Sequence, residues 1–286
     1  MLPGRAGGHW EEAGRSMDDL LRALGWTPGP ARRGLVVGLF VACTLAFLAL
    51  GLAVARWTGW DPVGVHASFW GAWFAWQGWL FRSPSPGRPA RPAGSAAYRV
   101  AFARHVVPGV SFGVAQMLRP VGQALLGGGP AGPSVPEVVA GLLGLQVGAV
   151  LLVSGFRAIG LARAGFVSEY LDAPPDLVRE SVYRYLRHPL FVGGVLASVG
   201  VGMITGDDRA IALGLVNAAV LPVYGRIEDA RLVRVFGAPY AEYRAAVGGV
   251  VPRPRAVAAA LRRLVARRRG PRWRGWVRGG LGDPGA

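Results

Sequence analysis

The sequence has no lysine and a single cysteine, and both scarcities narrow what it can be. All 32 basic residues are arginine, against 16 acidic residues, so the formal net charge is +16 over 286 residues. With Cys43 alone, neither an intrachain disulfide nor a cysteine metal cluster can form, and Cys43 reads as a small packing residue. The four histidines, His9, His66, His105 and His188, show no H-x-x-x-H or H-x-x-E-H spacing, which argues against a catalytic zinc; no metal is expected. No G-x-G-x-x-G follows a strand-like run, so a soluble Rossmann-type domain is not indicated. The stretch from Met1 to Arg33 is polar and broken by Gly and Pro, unlike a cleavable signal peptide, and the first apolar run is expected to serve as an uncleaved insertion signal.

What the chain has in abundance is apolar surface: 52% of its residues are hydrophobic and its mean hydropathy is +0.34. A soluble domain rarely combines this with such a charge, so the charge must sit outside the apolar runs. Candidate spans are Leu35 to Ala55, Pro62 to Phe81, Val100 to Leu118, Pro136 to Phe156, Leu190 to Thr205 and Ala210 to Tyr224. The expectation is an all-α, polytopic transmembrane bundle of about six spans, ending in a helical hairpin that forms the functional site. Its divisions would be a cytoplasmic segment 1–33, N-terminal helices 34–135, a functional region 136–254 and an Arg-rich tail 255–286. With the N-terminus inside, only Arg56, Arg119 and Arg209 of the 32 arginines fall in outer loops, as the positive-inside rule requires, provided the third span is real. Arginine-only basic usage with much Ala, Gly and Pro suggests a GC-rich bacterium, hence an inner-membrane protein with both termini and its site on the cytoplasmic side.

Two segments connect spans: Arg82 to Arg99, rich in Pro, Ser and Arg, and Gly127 to Pro136, rich in Gly and Pro. The tail from Arg253 to Arg278 carries ten Arg with Trp273 and Trp276, a pattern drawn to anionic lipid headgroups at about 1 kcal/mol per charge near the surface. Nucleic acid is not an expected partner, since no nucleic-acid-binding fold accompanies the charge. The aromatic cluster Phe69, Trp70, Trp73, Phe74, Trp76 and Trp79 admits two readings, helix packing or a wall for an acyl or prenyl chain.

The chemistry concentrates between residues 181 and 243. SVYRYLRHPLFVGG places Arg187 and His188 at the mouth of an apolar helix; RIEDARLVRVFGAPYAEY places Glu228 and Asp229 where the hairpin returns. Each arm, about 15 residues at about 1.5 Å per residue, would be some 23 Å long, and only four residues separate them. Both open ends would then lie on one side, with Arg187 and His188 facing Glu228 and Asp229. Pro189 suits the first turn of a helix, and the helix's positive end beside Arg187 favours an anionic group. Gly193 and Gly194 either bare the backbone to a ligand or pack against another helix. The two carboxylates could accept hydrogen bonds from an ammonium or from ribose hydroxyls.

The series Y-R-Y-L-R-H-P-L-F-V-G, I-E-D-x-R-L, F-G-x-x-Y-x-x-Y and V-P-R-P, spanning Leu142 to Pro254, resembles the isoprenylcysteine carboxyl methyltransferase family. That family lies within a wider group of integral-membrane methyltransferases that includes phospholipid N-methyltransferases and NnrU-like proteins. The resemblance implies S-adenosylmethionine bound by Tyr185, Arg187, His188, Pro189, Phe191, Gly193, Glu228, Asp229, Tyr240 and Tyr243, with Arg187, His188 and Glu228 catalytic. Phe191 stands where the family usually has Tyr, and Asp229 where it usually has a second Glu. The implied acceptor is lipophilic or small: a carboxylate such as that of an isoprenylcysteine, or alternatively a phospholipid amine or a small thiol. A carboxylate needs no general base at neutral pH; an amine or thiol would, and His188 is the one histidine near the site. A transporter or a membrane scaffold is the alternative of another class, but the spans carry almost no mid-span charge and a scaffold leaves Arg187, His188 and Glu228 without a role.

Overall fold

Segments that are apolar on every side need lipid or one another around them, and a helix satisfies its own backbone hydrogen bonds there. The computed structural model describes residues 17–82, 94–127, 132–164, 177–255, 257–258 and 262, and among these the regular elements are helices. A short α1 covers 17–23, followed by α2 (Pro30–Thr58), α3 (Pro62–Arg82), α4 (Gly94–Ala101) and α5 (Val107–Gly127). Then come α6 (Val135–Ala164), a 3-10 turn (Ser181–Arg184), α7 (Pro189–Thr205), α8 (Asp208–Phe236) and α9 (Ala238–Ala246).

Among the described residues, three helices are long and apolar enough to cross a membrane: α2, the Val135–Leu161 part of α6, and α8. α7 is apolar but has only 17 residues. The expected second and third spans fall short of that measure because they are diluted by polar groups buried inside the bundle: His66 and Gln77 on α3, Ser111, Gln116 and Arg119 on α5. The third is also displaced. Instead of Val100 to Leu118, α5 runs to Gly127, and a π-turn (Phe102–Val106) joins it to α4 just where Pro108 lacks the N–H that would continue the α-helical pattern.

The returning hairpin arm was expected to end near Tyr224, but α8 continues to Phe236. It is 29 residues long, about 44 Å at 1.5 Å per residue. The extension is rich in helix formers, Arg226, Glu228, Ala230, Arg231 and Leu232, and no breaker occurs until Gly237, whose φ of 63° ends the helix. Glu228 and Asp229 therefore stand inside a helix rather than beyond its end.

Glycine sets the central packing. An added Cβ at Gly141 would lie 2.6 Å from the Gly200 carbonyl oxygen, and one at Gly200 would lie 2.6 Å from that of Gly141. Gly148 and Gly193 make the same reciprocal contact, at 2.6 and 2.8 Å. Small residues thus let the backbones of α6 and α7 touch, the device that substitutes for hydrophobic driving force within lipid. Gly193 accordingly takes part in the α6–α7 contact. The outer faces of α2 and α6 expose Leu35, Val41, Leu45, Leu142, Leu143 and Val150, an apolar belt suited to lipid.

Inside the bundle, Trp70 and Trp73 are buried, so this part of the aromatic cluster is packing. The Trp70 Nε1–H donates to Asn217 Oδ1 at 2.8 Å, His66 Nε2 meets the same oxygen at 2.9 Å, and Asn217 Nδ2 donates to the Gln116 carbonyl at 3.2 Å. This ties α3, α5 and α8 together. At the other end α1 is anchored: Leu20, Leu21 and Leu24 pack with Val36, Tyr98 and Phe102, and Arg33 grips Asp18 through two hydrogen bonds of 3.0 and 2.9 Å. The tail beyond 262, including Trp273 and Trp276, lies outside the described residues, as do 83–93 and the side chain of Trp79.

Gly200→Ala should strain the α6–α7 contact and cost about 1 to 3 kcal/mol. Gly113→Ala, with nothing within 4 Å of its added Cβ, should be neutral or slightly stabilising. Thermal unfolding of the two variants in detergent distinguishes these outcomes.

Candidate functional site

Pro189 takes the first position of α7 with His188 as its N-cap residue, and the Gly206–Asp207 turn sends the chain back. Gly206 adopts a left-handed φ of 64°, and Asp207 caps α8 by accepting from the Ala210 N–H at 2.9 Å. Residues equidistant from this turn come level across the hairpin. His188 meets Gly225, where a Cβ would lie 3.3 Å from His188 Cδ2.

One turn further along α8, Asp229 receives the convergent donors. Arg187 donates from Nε to Oδ1 at 3.1 Å and from Nη2 to Oδ2 at 2.6 Å, a bidentate pairing. His188 Nε2 lies 3.1 Å from Oδ1, and the Tyr240 hydroxyl donates to the same oxygen at 2.6 Å. The remaining Arg187 nitrogen, Nη1, donates to the carbonyls of Arg244, at 3.0 Å, and Val247. Four of the five Arg187 N–H donors are thus taken up within the protein, so its charge is largely spent on Asp229 and the strap rather than held free for an external anion.

The backbone adds to this clasp. The N–H groups of Arg187 and His188 donate to the carbonyls of Gly248 and Gly249, at 2.9 and 3.2 Å, within a single parallel bridge between Leu186 and Gly248. The strap 247–251 is thereby laid beside His188. Between it and α8 opens a cleft of about 300 Å³, walled by Arg187, His188, Gly225 and Asp229 on one side and Gly249 and Val250 on the other. Pro222, Arg226 and Val251 complete its lining. The volume is at the lower end of that of ligand pockets.

Glu228 takes a different partner from the one expected. Successive helix residues point about 100° apart, so when Asp229 faces Arg187 and His188 its neighbour cannot. Glu228 accepts instead from Arg231, through Nε at 3.1 Å and Nη2, and from the Tyr224 hydroxyl at 3.4 Å. Both members of the pair are shielded, with side-chain exposures of 16% and 10%.

Of the other expected residues, Pro189 is buried behind His188 toward Gly155, and Phe191 lies against the Tyr224 ring with centroids 3.9 Å apart. Tyr185 is half-buried and does not line the cleft. Tyr243 donates to the Tyr183 carbonyl at 2.6 Å, bracing α9 against the turn before α7. Burial raises the ionisation of Tyr240 above the ordinary phenol range, and its bond to Asp229 raises it further; burial does the same to Tyr243. Both stay neutral donors. Gly225, Gly249, Arg226 and Arg231 are the site's unforeseen members. Only Arg231 had a legible signal, its position three residues after Glu228 on a helix, where side chains meet.

Residues 136–239 match a family model described as phospholipid methyltransferase. The matched segment, from α6 to the start of α9, is similar to this family, which takes in the isoprenylcysteine-methyltransferase-like membrane enzymes, and it contains Arg187, His188, Gly225, Glu228 and Asp229. No curated protein matches the chain. The family match and the apolar helices are both consistent with a membrane protein of methyltransferase type.

Asp229→Leu leaves the Arg187 fork buried without its carboxylate and should cost about 3 to 5 kcal/mol. Combining it with Arg187→Met should cost clearly less than the two single losses added together, with a coupling of about 1 kcal/mol or more. Unfolding in detergent of the two single variants and the double variant tests this; simple additivity would show the pair to be incidental.

Proposed function

We propose that the cleft binds S-adenosylmethionine and that the protein transfers its methyl group to the polar head of a lipophilic acceptor. The observation that carries this reading is the Arg187–His188–Asp229 cluster, which lies within the segment similar to the methyltransferase family and is set beside bare backbone at Gly225 and, beyond that segment, Gly249. A Cβ at Gly249 would come within 3.1 Å of Arg187 Nη2, so side chains at these glycines would encroach on a ligand. When bound, S-adenosylmethionine supplies an electrophilic methyl group on a sulfonium.

The chain's own contribution is alignment and exclusion of water. Arg187 pins the strap 247–251 and so fixes one wall. Asp229 orients His188 into the cleft, as a carboxylate does for a histidine whose ring direction matters. Glu228, neutralised by Arg231, acts as a neighbouring support rather than as a first contact. Pro222 and Val251 add apolar surface to the cleft lining, which lets a hydrocarbon tail stay in lipid while its head enters.

For the acceptor, a carboxylate such as that of an isoprenylcysteine is favoured because no strong general base is evident, and ionised carboxylates need none. The matched family's description favours the second reading, a phospholipid amine, for which His188 is the nearest base. In either case the site faces the cytoplasm, in a bacterial inner membrane.

Calorimetry on the full chain in detergent should detect S-adenosylmethionine binding, and His188→Ala should weaken it about tenfold or more. Labelled methyl transfer to prenylcysteine analogues, phosphatidylethanolamine and short thiols then identifies the acceptor: alkali releases methanol from an ester but leaves N-methyl and S-methyl products intact. A wild-type protein that binds no cofactor would overturn the enzyme reading in favour of a scaffold or transporter. Reporter fusions after Asp207 and Pro254 should read periplasmic and cytoplasmic respectively; a periplasmic signal at Pro254 would put the cleft on the wrong side for a cytosolic cofactor.

A further inference from the structure

We propose that Arg226 anchors the acceptor by pairing with an oxyanion on it, a phosphate or a carboxylate, while the acceptor's hydrocarbon lies along α8; this rests on the methyltransferase reading above. The charged groups lining the cleft divide sharply. Arg187 and Asp229 neutralise each other, and His188 shares Asp229. Arg226 lines the same cleft, is exposed, and makes no hydrogen bond or ion pair among the described residues. A guanidinium offers a planar fork matched to carboxylate and phosphate, so an uncommitted one at a cleft mouth selects for such a group.

The helix register supplies the second half of the argument. Pro222, Gly225, Arg226 and Asp229 share one face of α8 and all line the cleft. Toward the bilayer interior this face continues through Ala219 and Leu215, which, like Pro222, are exposed; Leu215 is 55% exposed. The result is an apolar track headed by one cation, opening directly beside His188. An isolated surface arginine at a membrane interface would need no such alignment. A tail on Leu215, Ala219 and Pro222 with an oxyanion on Arg226 would bring the reacting head into the cleft from the lipid side, leaving the His188–Gly249 side to the cofactor.

The test uses the full chain in detergent, with Arg226→Gln and Arg226→Lys. If Arg226 anchors the acceptor, Arg226→Gln should raise the acceptor KM by on the order of tenfold while S-adenosylmethionine affinity, read by calorimetry, stays within about twofold. Arg226→Lys, which keeps the charge but loses the fork, should fall between. Turnover of phosphatidylethanolamine assigns the oxyanion as phosphate; turnover of a prenylcysteine analogue assigns it as carboxylate. An unchanged acceptor KM overturns the proposal, and so does a parallel loss of cofactor affinity, which would make Arg226 a cofactor contact. If the wild-type protein binds no cofactor, or methylates neither acceptor, native mass spectrometry with added phosphatidylethanolamine and prenylcysteine decides: weaker retention of either by Arg226→Gln upholds the anchor even though the proposed reaction has failed, and equal retention overturns it.

Discussion

The Arg187–Asp229 pair is the joint on which the C-terminal half of the molecule turns. It links the residue before the α7 cap to the interior of α8, and through Arg187 Nη1 it reaches the carbonyls of α9 and the strap beyond. Two charges at about a tenth of their free exposure are costly to desolvate, and only a geometry that satisfies nearly every donor and lone pair offsets that cost. Here Asp229 takes four contacts, from Arg187 twice, His188 and Tyr240, and Arg187 uses four of its five donors, so both charges are well satisfied. Such pairing makes the strap's position a consequence of electrostatics rather than of apolar packing. Residues 247–251 are otherwise poor in contacts that could fix them, being mostly half-exposed Gly and Val.

That joint depends in turn on the helices being able to approach. α7 is short, and its end reaches the level of Gly225 only because the Gly206–Asp207 turn is tight and α7 lies flush against α6 through Gly148, Gly193, Gly141 and Gly200. A side chain at any of these four would move α7 outward by a fraction of an ångström or more. His188 and Arg187 would move with it. Packing glycines far from the cleft and the hydrogen bonds within it are thus successive steps of one arrangement.

Much of this was legible in the sequence, and the exceptions have physical reasons. All-helical architecture, the hairpin, Pro189 at the head of α7 and the approach of Arg187 and His188 to the I-E-D segment follow from apolar run length, a tight turn and proline's fixed φ. What the sequence could not show is which of two adjacent carboxylates faces inward. Glu228 and Asp229 differ by one residue, and their directions depend on the helical phase of α8 carried through the turn at Asp207. The same limit applies to Gly193, where packing and ligand approach demand the same absent side chain and only the neighbouring helix tells them apart. The continuation of α8 to Phe236 was available from propensity, since Arg, Glu, Ala and Leu dominate it, but apolarity outweighed propensity in placing the end of the span.

The division of labour between the adjacent carboxylates also bears on why Asp rather than Glu stands at 229. Arg187, His188 and Tyr240 converge on this side chain from three directions, and Tyr240 approaches from α9, only eleven residues on. A longer side chain would carry its oxygens about one methylene further toward Arg187 and the strap, where Gly249 already leaves just 3.1 Å between a notional Cβ and Nη2. Asp therefore fits a clasp already drawn tight by the strap, whereas Glu228 reaches Arg231 one turn along its own helix. The two acids differ in length because their partners lie at different distances, and in that respect the departure from the family's usual pair is a property of the strap as much as of the helix.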